Sequence, residues 1–459
     1  MSGISFKHRE PIGSSTFPMP GDAVDIQEID RRLASPAGRF NDATIYLHIP
    51  FCDQICSFCG FNKAVSNETT KERYVNALIR EIALQAQSAY VQSLRFGAVY
   101  LGGGTPNALS AGQLGRILEA LHNHLHFDDG IEITCEGIIQ NFTRERIDVL
   151  KAHGVNRVSA GIQTFDRAIR EAHLHMRDGR EELLEGIATL RNNFSNFNLD
   201  FIYNLPNQTD AIWEEDVHQA LTSGATHLTL YPLVLLEKTI FYSDYVKNGK
   251  YASPEETREI AMYRAALNQI ADSPFRNRYS VRDFALPGRD CRYIRMNAES
   301  NHILALGAGA HGYLAGFTYR IIRSTQHYME HVEQNGTIPF DAMRLASTDE
   351  QMRRYAVMGL RMRNLDLAPF EARFGRAFFD VFAREIEDLS EGGYLIAGDG
   401  RLNFTEKGDV WANNVRTHFE GKASTSVGYT DTTSIGQDGK THYSAISRIK
   451  ASGDVEANA

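Results

Sequence analysis

The chain has 459 residues, 42% of them hydrophobic and 23% charged, which suits one large core or two smaller ones and excludes a disordered or fibrous protein. Lys and Arg total 48 against 57 Asp and Glu, a formal charge of −9, so nothing in the balance supports a nucleic-acid partner. No segment approaches the ~20 apolar residues of a membrane span, and MSGISFKHREPIGSSTFPMP at the N-terminus lacks the apolar core of a signal peptide, which points to the cytoplasm.

Residues 1–42 carry Gly, Pro and Ser without a sustained period and read as a leader that wraps or stays loose. A strand follows at Ala43–Ile49 and ends at a loop holding Cys52, Cys56 and Cys59. Tyr74, Leu78 and Ile82 recur at helical spacing, Ala98–Leu101 is an apolar run entering Gly102-Gly103-Gly104-Thr105-Pro106, and Leu114, Ile117, Leu118, Leu121 and Leu125 form a second helical stripe. The alternation continues with a strand at Ile131–Cys135, a helix from Thr143 that ends before Gly154, and a strand at Arg157–Ile162. After helical stretches come a strand at Asn198–Tyr203, a helix over 210–222 and a strand at His227–Tyr231. Such a series predicts an α/β fold, a parallel sheet with helices outside, either open and doubly wound or a partial or full barrel. On any of these the cysteine loop, the glycine loop, Glu136, Gln163 and Asp200 share the C-terminal edge of the sheet.

Beyond residue 250 the alternation weakens, leaving a helix around Glu256–Ile270, a strand at Tyr279–Phe284 and the glycine-rich run Leu306–Tyr313. Helical patterns dominate Asp349–Glu391, followed by short strands at Gly393–Ile396 and Arg401–Phe404 and a last helix to Phe419. The expected division is a leader (1–42), a core (43–250), an extension carrying a substrate-site segment (251–345), a mostly helical C-terminal module (346–420) and a flexible tail (421–459).

Five cysteines are too few for a disulfide framework in a chain of this length, and three of them fall within eight residues. Three thiolates on one loop suit a cubane iron–sulfur cluster with one iron left open to a ligand; a zinc ion that borrows His48 is the competing reading. The glycine loop exposes backbone N–H groups to an anion, but no Gly-Lys-Ser/Thr follows, so it is not a triphosphate loop. Glu136, Gln163 and Asp200 are placed to hydrogen-bond an amino group and ribose hydroxyls. His48 reads as a packing or hydrogen-bonding residue, His311 as a less favoured ligand or proton carrier, and Cys135 and Cys291 as bystanders.

Tyr46-Leu-His-Ile-Pro-Phe-Cys-Asp-Gln-Ile-Cys-Ser-Phe-Cys59, the Gly-Gly-Gly-Thr-Pro loop, Gly161-Ile-Gln-Thr-Phe165 and Asp200-Phe-Ile-Tyr-Asn-Leu-Pro206 resemble the radical S-adenosylmethionine (SAM) superfamily, specifically its oxygen-independent coproporphyrinogen III dehydrogenase-like (HemN-like) group. The resemblance runs from about residue 43 to 420 and implies a partial (β/α)6 TIM-like barrel with a HemN-like C-terminal helical domain. It further implies that Cys52, Cys56 and Cys59 hold a [4Fe-4S] cluster, whose electron cleaves SAM to methionine and a 5′-deoxyadenosyl radical. Tyr46, Gly103 and Glu136 match positions contacting this SAM; Phe58, Gly104, Thr105, Gln163, Asp200 and Arg177 match contacts to a second SAM, with Val234 and Tyr313 matching two further positions. An electron donor such as flavodoxin or ferredoxin is implied as partner.

The porphyrinogen dehydrogenases carry a further cysteine where this chain has Phe61, and the heme chaperone branch begins nearer the cysteine loop. These departures point to the class C radical SAM methyltransferases. Transfer of a SAM-derived methyl or methylene carbon to an sp² carbon of a tetrapyrrole, quinone or natural product is the function expected. Oxidative decarboxylation of coproporphyrinogen and heme chaperoning are the alternatives.

Overall fold

The computed structural model describes residues 3–421, except 11–12, 14–15, 22–25, 238, 253 and 277, together with 434–435 and 441–442. The tail expected to be flexible therefore lies almost wholly outside the described residues. Six strands, β1 (Asp42–Ile49), β2 (Arg95–Gly103), β3 (Phe127–Gly137), β4 (Arg157–Gln163), β5 (Phe197–Tyr203) and β6 (His227–Pro232), follow one another in space in chain order and pair in parallel. Helices Glu68–Gln85, Ala111–His124, Arg144–Ala152, Arg180–Asn193 and Asp210–Thr222 make the crossovers. Their starts are written locally: Asn67, Thr143 and Thr209 cap the orphan N–H groups of the first turn, and Ser110 with Gln113 completes a capping box.

Beyond β6 lies β7 (Asp283–Ala285), antiparallel; beyond β1 lie β8 (His302–Leu306), parallel to it, then β9 (His311–Leu314), β10 (Phe317–Ile321) and β11 (Phe340–Leu345) in antiparallel succession. The sheet of eleven strands is thus an open, partial barrel. Two sequence expectations change here. Of the strand expected at Tyr279–Phe284 only Asp283 onward pairs as β7, because Ser280 turns its hydroxyl onto the backbone of Arg282 and Asp283. The helical run Asp349–Glu391 is broken by a strand, Asn364–Asp366, which joins Leu395–Gly398 and Arg401–Phe404 in a three-stranded sheet.

Side chains alternate across a strand, and the two faces of this sheet differ sharply. Toward the helices point Ala43, Ile45, Leu47, Val99, Leu101, Ile133, Val158, Ala160, Leu199, Phe201, Leu228 and Leu230, all buried in one core. The other face carries Thr44, Tyr46 and His48 on β1, Glu132, Thr134 and Glu136 on β3, Arg157 and Ser159 on β4, Asn198 and Asp200 on β5, and His227, Thr229 and Tyr231 on β6. A closed barrel fills that face with branched apolar side chains; here it is polar. Helix Arg292–Ala298 seals its lower end: Thr44 Oγ1 donates to Asn297 Oδ1 at 2.7 Å, and Glu132 accepts from the N–H groups of Arg292 and Tyr293 at 3.1 and 3.2 Å.

The leader contains a helix, Ile26–Leu33, and its earlier described residues lie against the C-terminal region. Arg9 ion-pairs with Glu259 and its N–H donates to Glu256 at 2.7 Å, the Glu10 N–H donates to Asn414 at 2.8 Å, and Arg354 donates to the Phe17 carbonyl at 2.6 Å. These contacts wrap it as a strap. A second hydrophobic cluster, built around Tyr355, Phe370, Phe378, Phe382 and Phe419, forms the core of the C-terminal module.

Candidate active site

Parallel pairing sets Ile49 beside Gly103 and Gly137 beside Ala160, so the loops following β1 to β6 gather at one end of the sheet. The cysteine loop is fastened there on several sides. Cys52 N–H donates to Ala64 O at 3.0 Å, Gly104 N–H to Ile49 O at 2.8 Å, Ser57 N–H to Leu174 O at 3.4 Å and Phe241 N–H to Ser57 O at 3.1 Å. Lys63 Nζ donates to the Cys59 carbonyl at 2.6 Å, and Thr105 Oγ1 donates to Cys52 Sγ at 3.4 Å. Phe58 is half-buried, with its ring 6.4 Å from that of Phe241.

Gly104 is required by this fastening, since a Cβ there would stand 2.8 Å from the Phe51 carbonyl oxygen and 2.9 Å from the Pro50 carbonyl carbon. Gly103 takes φ +116°, and a Cβ on it would meet the His48 ring at 2.8 Å. Gly104→Ala is expected to push the cysteine loop off the sheet, at a cost of about 1–3 kcal/mol, and to weaken SAM binding by isothermal titration. Unchanged affinity and melting temperature would refute the close approach.

Below the loop, a chain of hydrogen bonds sets the tyrosine wall. The Asn62 carbonyl can only accept, so His48 Nε2–H donates to it at 2.8 Å and His48 Nδ1 is left to accept from Tyr46 O–H at 3.1 Å. Burial holds His48 down to about 4, which keeps the ring neutral and in that tautomer. The Tyr46 ring is 6.5 Å from Tyr100 and 6.4 Å from Tyr293, and those two are 5.0 Å apart. Gly102 leaves room for the carboxylate of Glu136, whose Oε2 would be 3.0 Å from a Cβ on that glycine. Asp200 accepts from Ser159 at 3.2 Å and Asn198 at 2.9 Å. Tyr46, Tyr100, Glu136, Asp200, Tyr231 and Tyr293 keep accessible surface, although burial is the largest influence on the titration of each. They face the inside of the partial barrel, a polar chamber below the cysteine loop.

Burial first, and then the charge of Asp200, push Glu136 up to about 8; burial pushes Asp200 up to about 6. Glu136 therefore keeps its proton near neutrality in the ligand-free protein, and a cation brought beside it would favour its release. In the ligand-free protein the unfolded carboxyl releases its proton near 4.5 and the folded one near 8, so between those values the native state binds more protons and stability falls as pH rises. Glu136→Gln is expected to flatten the decline of melting temperature between about pH 5 and pH 8. An identical slope in the variant would contradict that assignment.

Gln163 ends β4 at φ +68°, a strained backbone for a residue other than glycine, and its amide lies over Gly161, where a Cβ would obstruct it. Val234 is half-buried just past β6. Arg177 is exposed on the loop after a π-turn at Arg170–Leu174. Arg170 is the buried arginine of that segment; it donates to the carbonyls of Ile162 and Thr164 at the end of β4 and pairs with Asp178 at 3.2 Å. Tyr313 lies apart from the other residues matched to cofactor contacts. β9 runs back down the sheet, so Tyr313 pairs with Ile303, level with Thr44 near the base, and its ring lies under the Arg354 guanidinium at 4.0 Å. Gly307–Ala310 stay at the cysteine end instead: the Ala308 N–H donates to Tyr74 O–H at 2.9 Å, and Asn62 donates to the Ala308 carbonyl at 2.9 Å. Tyr100, Tyr293, Arg157 and Arg170 were not singled out by motif; the polar half of each strand's alternation was the signal that pointed to the first and third.

Three thiols on one fastened loop, with a side-chain hydroxyl on one sulfur and glycine backbone beside them, fit an iron–sulfur cluster. Burial pushes Cys52 and Cys56 up to about 12, so both are thiols in the metal-free chain and loading releases protons. Among the described residues no three His, Cys, Asp or Glu side chains converge as a single ion requires, which counts against zinc. Cys135 faces the helical layer, and Cys291 donates to Glu132 at 3.5 Å below the chamber.

The radical SAM superfamily pattern matches residues 46–220, and the HemN C-terminal domain pattern matches 346–411. The chain belongs to the radical SAM superfamily, whose cofactors are a [4Fe-4S] cluster and SAM, and within it to the HemN- and HemW-like group. The heme chaperone HemW of Lactococcus lactis is 31% identical over 376 residues, 82% of this chain and 96% of that protein. The anaerobilin synthase of Escherichia coli O157:H7 is 31% identical over 390 residues, 85% of each chain, and the oxygen-independent coproporphyrinogen III oxidase of Escherichia coli K12 is 25% identical over 410, 84% of each. The solved structure of Escherichia coli HemN shares the fold, with a TM-score of 0.77 at 21% identity over 89% of this chain and 96% of that one.

These relatives overturn the expectation of a methyltransferase, since none of the three carries that activity in its name. The signals behind it were weak for a physical reason. Phe61 is 51% exposed, so its identity is little constrained by packing, and the leader is a strap whose length says nothing about chemistry. Among the described residues no helix is long and apolar enough to cross a membrane.

Proposed function

We propose that this chain is a radical SAM enzyme acting on a heme-type tetrapyrrole. The observation that carries this reading is the chamber, a polar sheet face walled by Tyr46, Tyr100 and Tyr293 and set directly below the cysteine loop. The relatives supply the substrate class, because their names refer to heme or to a porphyrinogen. Cys52, Cys56 and Cys59 would hold the cluster, which when bound supplies one electron for reductive cleavage of SAM. Tyr46, Gly103 and Glu136 bind that SAM, while Phe58, Gly104, Thr105, Gln163, Asp200 and Val234 form the place for a second. Glu136 and Asp200 present carboxyl oxygens to amino and hydroxyl groups, and the fastened loops keep water from the reacting atoms. The electron comes from a donor of the flavodoxin or ferredoxin class.

Heme chaperoning is the second reading, favoured by alignment over 96% of the Lactococcus HemW. Anaerobic titration of heme into the reconstituted, SAM-loaded protein, followed by addition of an apo-globin, separates the two. Retention of heme together with 5′-deoxyadenosine formation supports the enzyme. Rapid transfer to the globin without SAM cleavage supports the chaperone, and absence of heme binding rejects the tetrapyrrole.

A further inference from the structure

We propose that Arg170 is the positioning residue of the second SAM site; this deepens the reading above and rests on its assignment of Phe58 and Gln163 to that SAM. The side chain is fully buried, and its guanidinium joins the end of β4 to the far side of the turn that follows. Nη1 donates to the carbonyls on either side of Gln163, those of Ile162 and Thr164, the latter at 3.3 Å. Nε donates to the Asp178 carbonyl at 3.0 Å and Nη2 to the Asp178 carboxylate at 3.2 Å, at the residue after Arg177. Gln163 needs such a holder. The Thr164 N–H donates to Ile162 O at 2.9 Å across Gln163, whose φ is +68°, a γ-turn of the rare and strained kind. Strained backbone persists only where its surroundings over-determine it. Asp216 holds the segment beyond the turn, through Thr164 Oγ1 at 2.7 Å and the Phe165 N–H at 2.8 Å, and Arg170 holds the carbonyls of the turn itself.

The same arginine opens the π-turn, and that turn reaches the cysteine loop: the Ser57 N–H donates to Leu174 O at 3.4 Å and Ser57 Oγ donates to the His173 carbonyl. Ser57 stands between Cys56 and Phe58, whose side chains pack against the apolar cluster that contains Leu174 and Met176. One guanidinium thus sets Gln163 and Phe58 relative to each other. A lysine could not do this, because its ammonium is a single point with three donors, whereas the guanidinium spreads five in a plane and reaches acceptors on two sides. The place of the first SAM stands apart. Tyr46, Gly103 and Glu136 belong to β1, β2 and β3, and none of the four bonds of the guanidinium goes to those strands.

The experiment measures binding of labelled SAM to the full chain, reconstituted without oxygen, by equilibrium dialysis. The first site is read separately, from the change that SAM makes in the electron paramagnetic resonance of the reduced cluster. The wild type is expected to bind two equivalents. Arg170→Lys, which keeps a charge beside Asp178, and Arg170→Met are both expected to keep the first equivalent and its spectral change, while the second weakens about tenfold or more, the loss that follows removal of charged hydrogen bonds. A residue that served the core alone would lower the melting temperature and leave the ratio of the two affinities unchanged. That result, loss of both equivalents in step, or failure of both variants to fold overturns the proposal and leaves the second site in place. A wild type that binds a single equivalent overturns the second site and the proposal with it.

Discussion

Replacing Cys56 by alanine is expected to abolish iron–sulfur loading and, with it, reductive cleavage of SAM. The loop offers three thiols, and the other two cysteines are held elsewhere: Cys135 is buried against the helices, and Cys291 lies by Glu132 at the start of helix Arg292–Ala298. No spare thiol can replace the lost one. The loop's own fastening, through the Cys52 and Gly104 N–H groups, does not depend on the Cys56 side chain. The variant should therefore fold, melt close to the wild type, and emerge colourless after anaerobic reconstitution. Cys135→Ala and Cys291→Ala serve as controls and should load normally. Iron and sulfide content equal to the wild type in the Cys56 variant would remove that residue from the ligand set.

The second large effect is expected at Asp409. Its carboxylate is 4% exposed and accepts from Arg278 at 3.1 Å and from Arg363 at 3.0 and 2.9 Å, tying the C-terminal module to the segment that leads into β7. Asp409→Ala leaves the Arg278 guanidinium buried without its counter-charge, and removing one member of a buried pair costs about 3–5 kcal/mol. Arg363 is 36% exposed at its side chain and recovers part of its solvation, so the lower end of that range applies. A fall of about 3 kcal/mol in urea unfolding, with early proteolysis in the C-terminal module, is the expected result. A change within about 0.5 kcal/mol would show that the strap and the aromatic cluster hold the module without this clamp.

Much of the core was legible because parallel β/α alternation leaves little freedom. Apolar runs of strand length separated by helical stripes fix the order of β1 to β6, and parallel pairing then gathers Cys52, Gly104, Glu136, Gln163 and Asp200 at one end. What escaped was non-local. The reversal at Gly307–Ala310 that carries Tyr313 to the base depends on contacts with Tyr74 and Asn62, far away in sequence. Arg9 meets Glu256 across 247 residues, which no local period records. Tyr293 reaches the chamber from a helix of seven residues that closes the barrel from below, too short to announce itself by periodicity. Arg170 escaped motif matching because the π-turn that buries it, and leaves Arg177 exposed, has no local sequence period.

The central claim is that radical chemistry in this chamber acts on a heme-type tetrapyrrole. Its most direct test follows 5′-deoxyadenosine and heme in one anaerobic reaction with reduced protein and SAM. The structure and its relatives predict that heme accelerates SAM cleavage and is consumed as 5′-deoxyadenosine accumulates. SAM cleavage indifferent to heme, with the heme recovered intact, would contradict it.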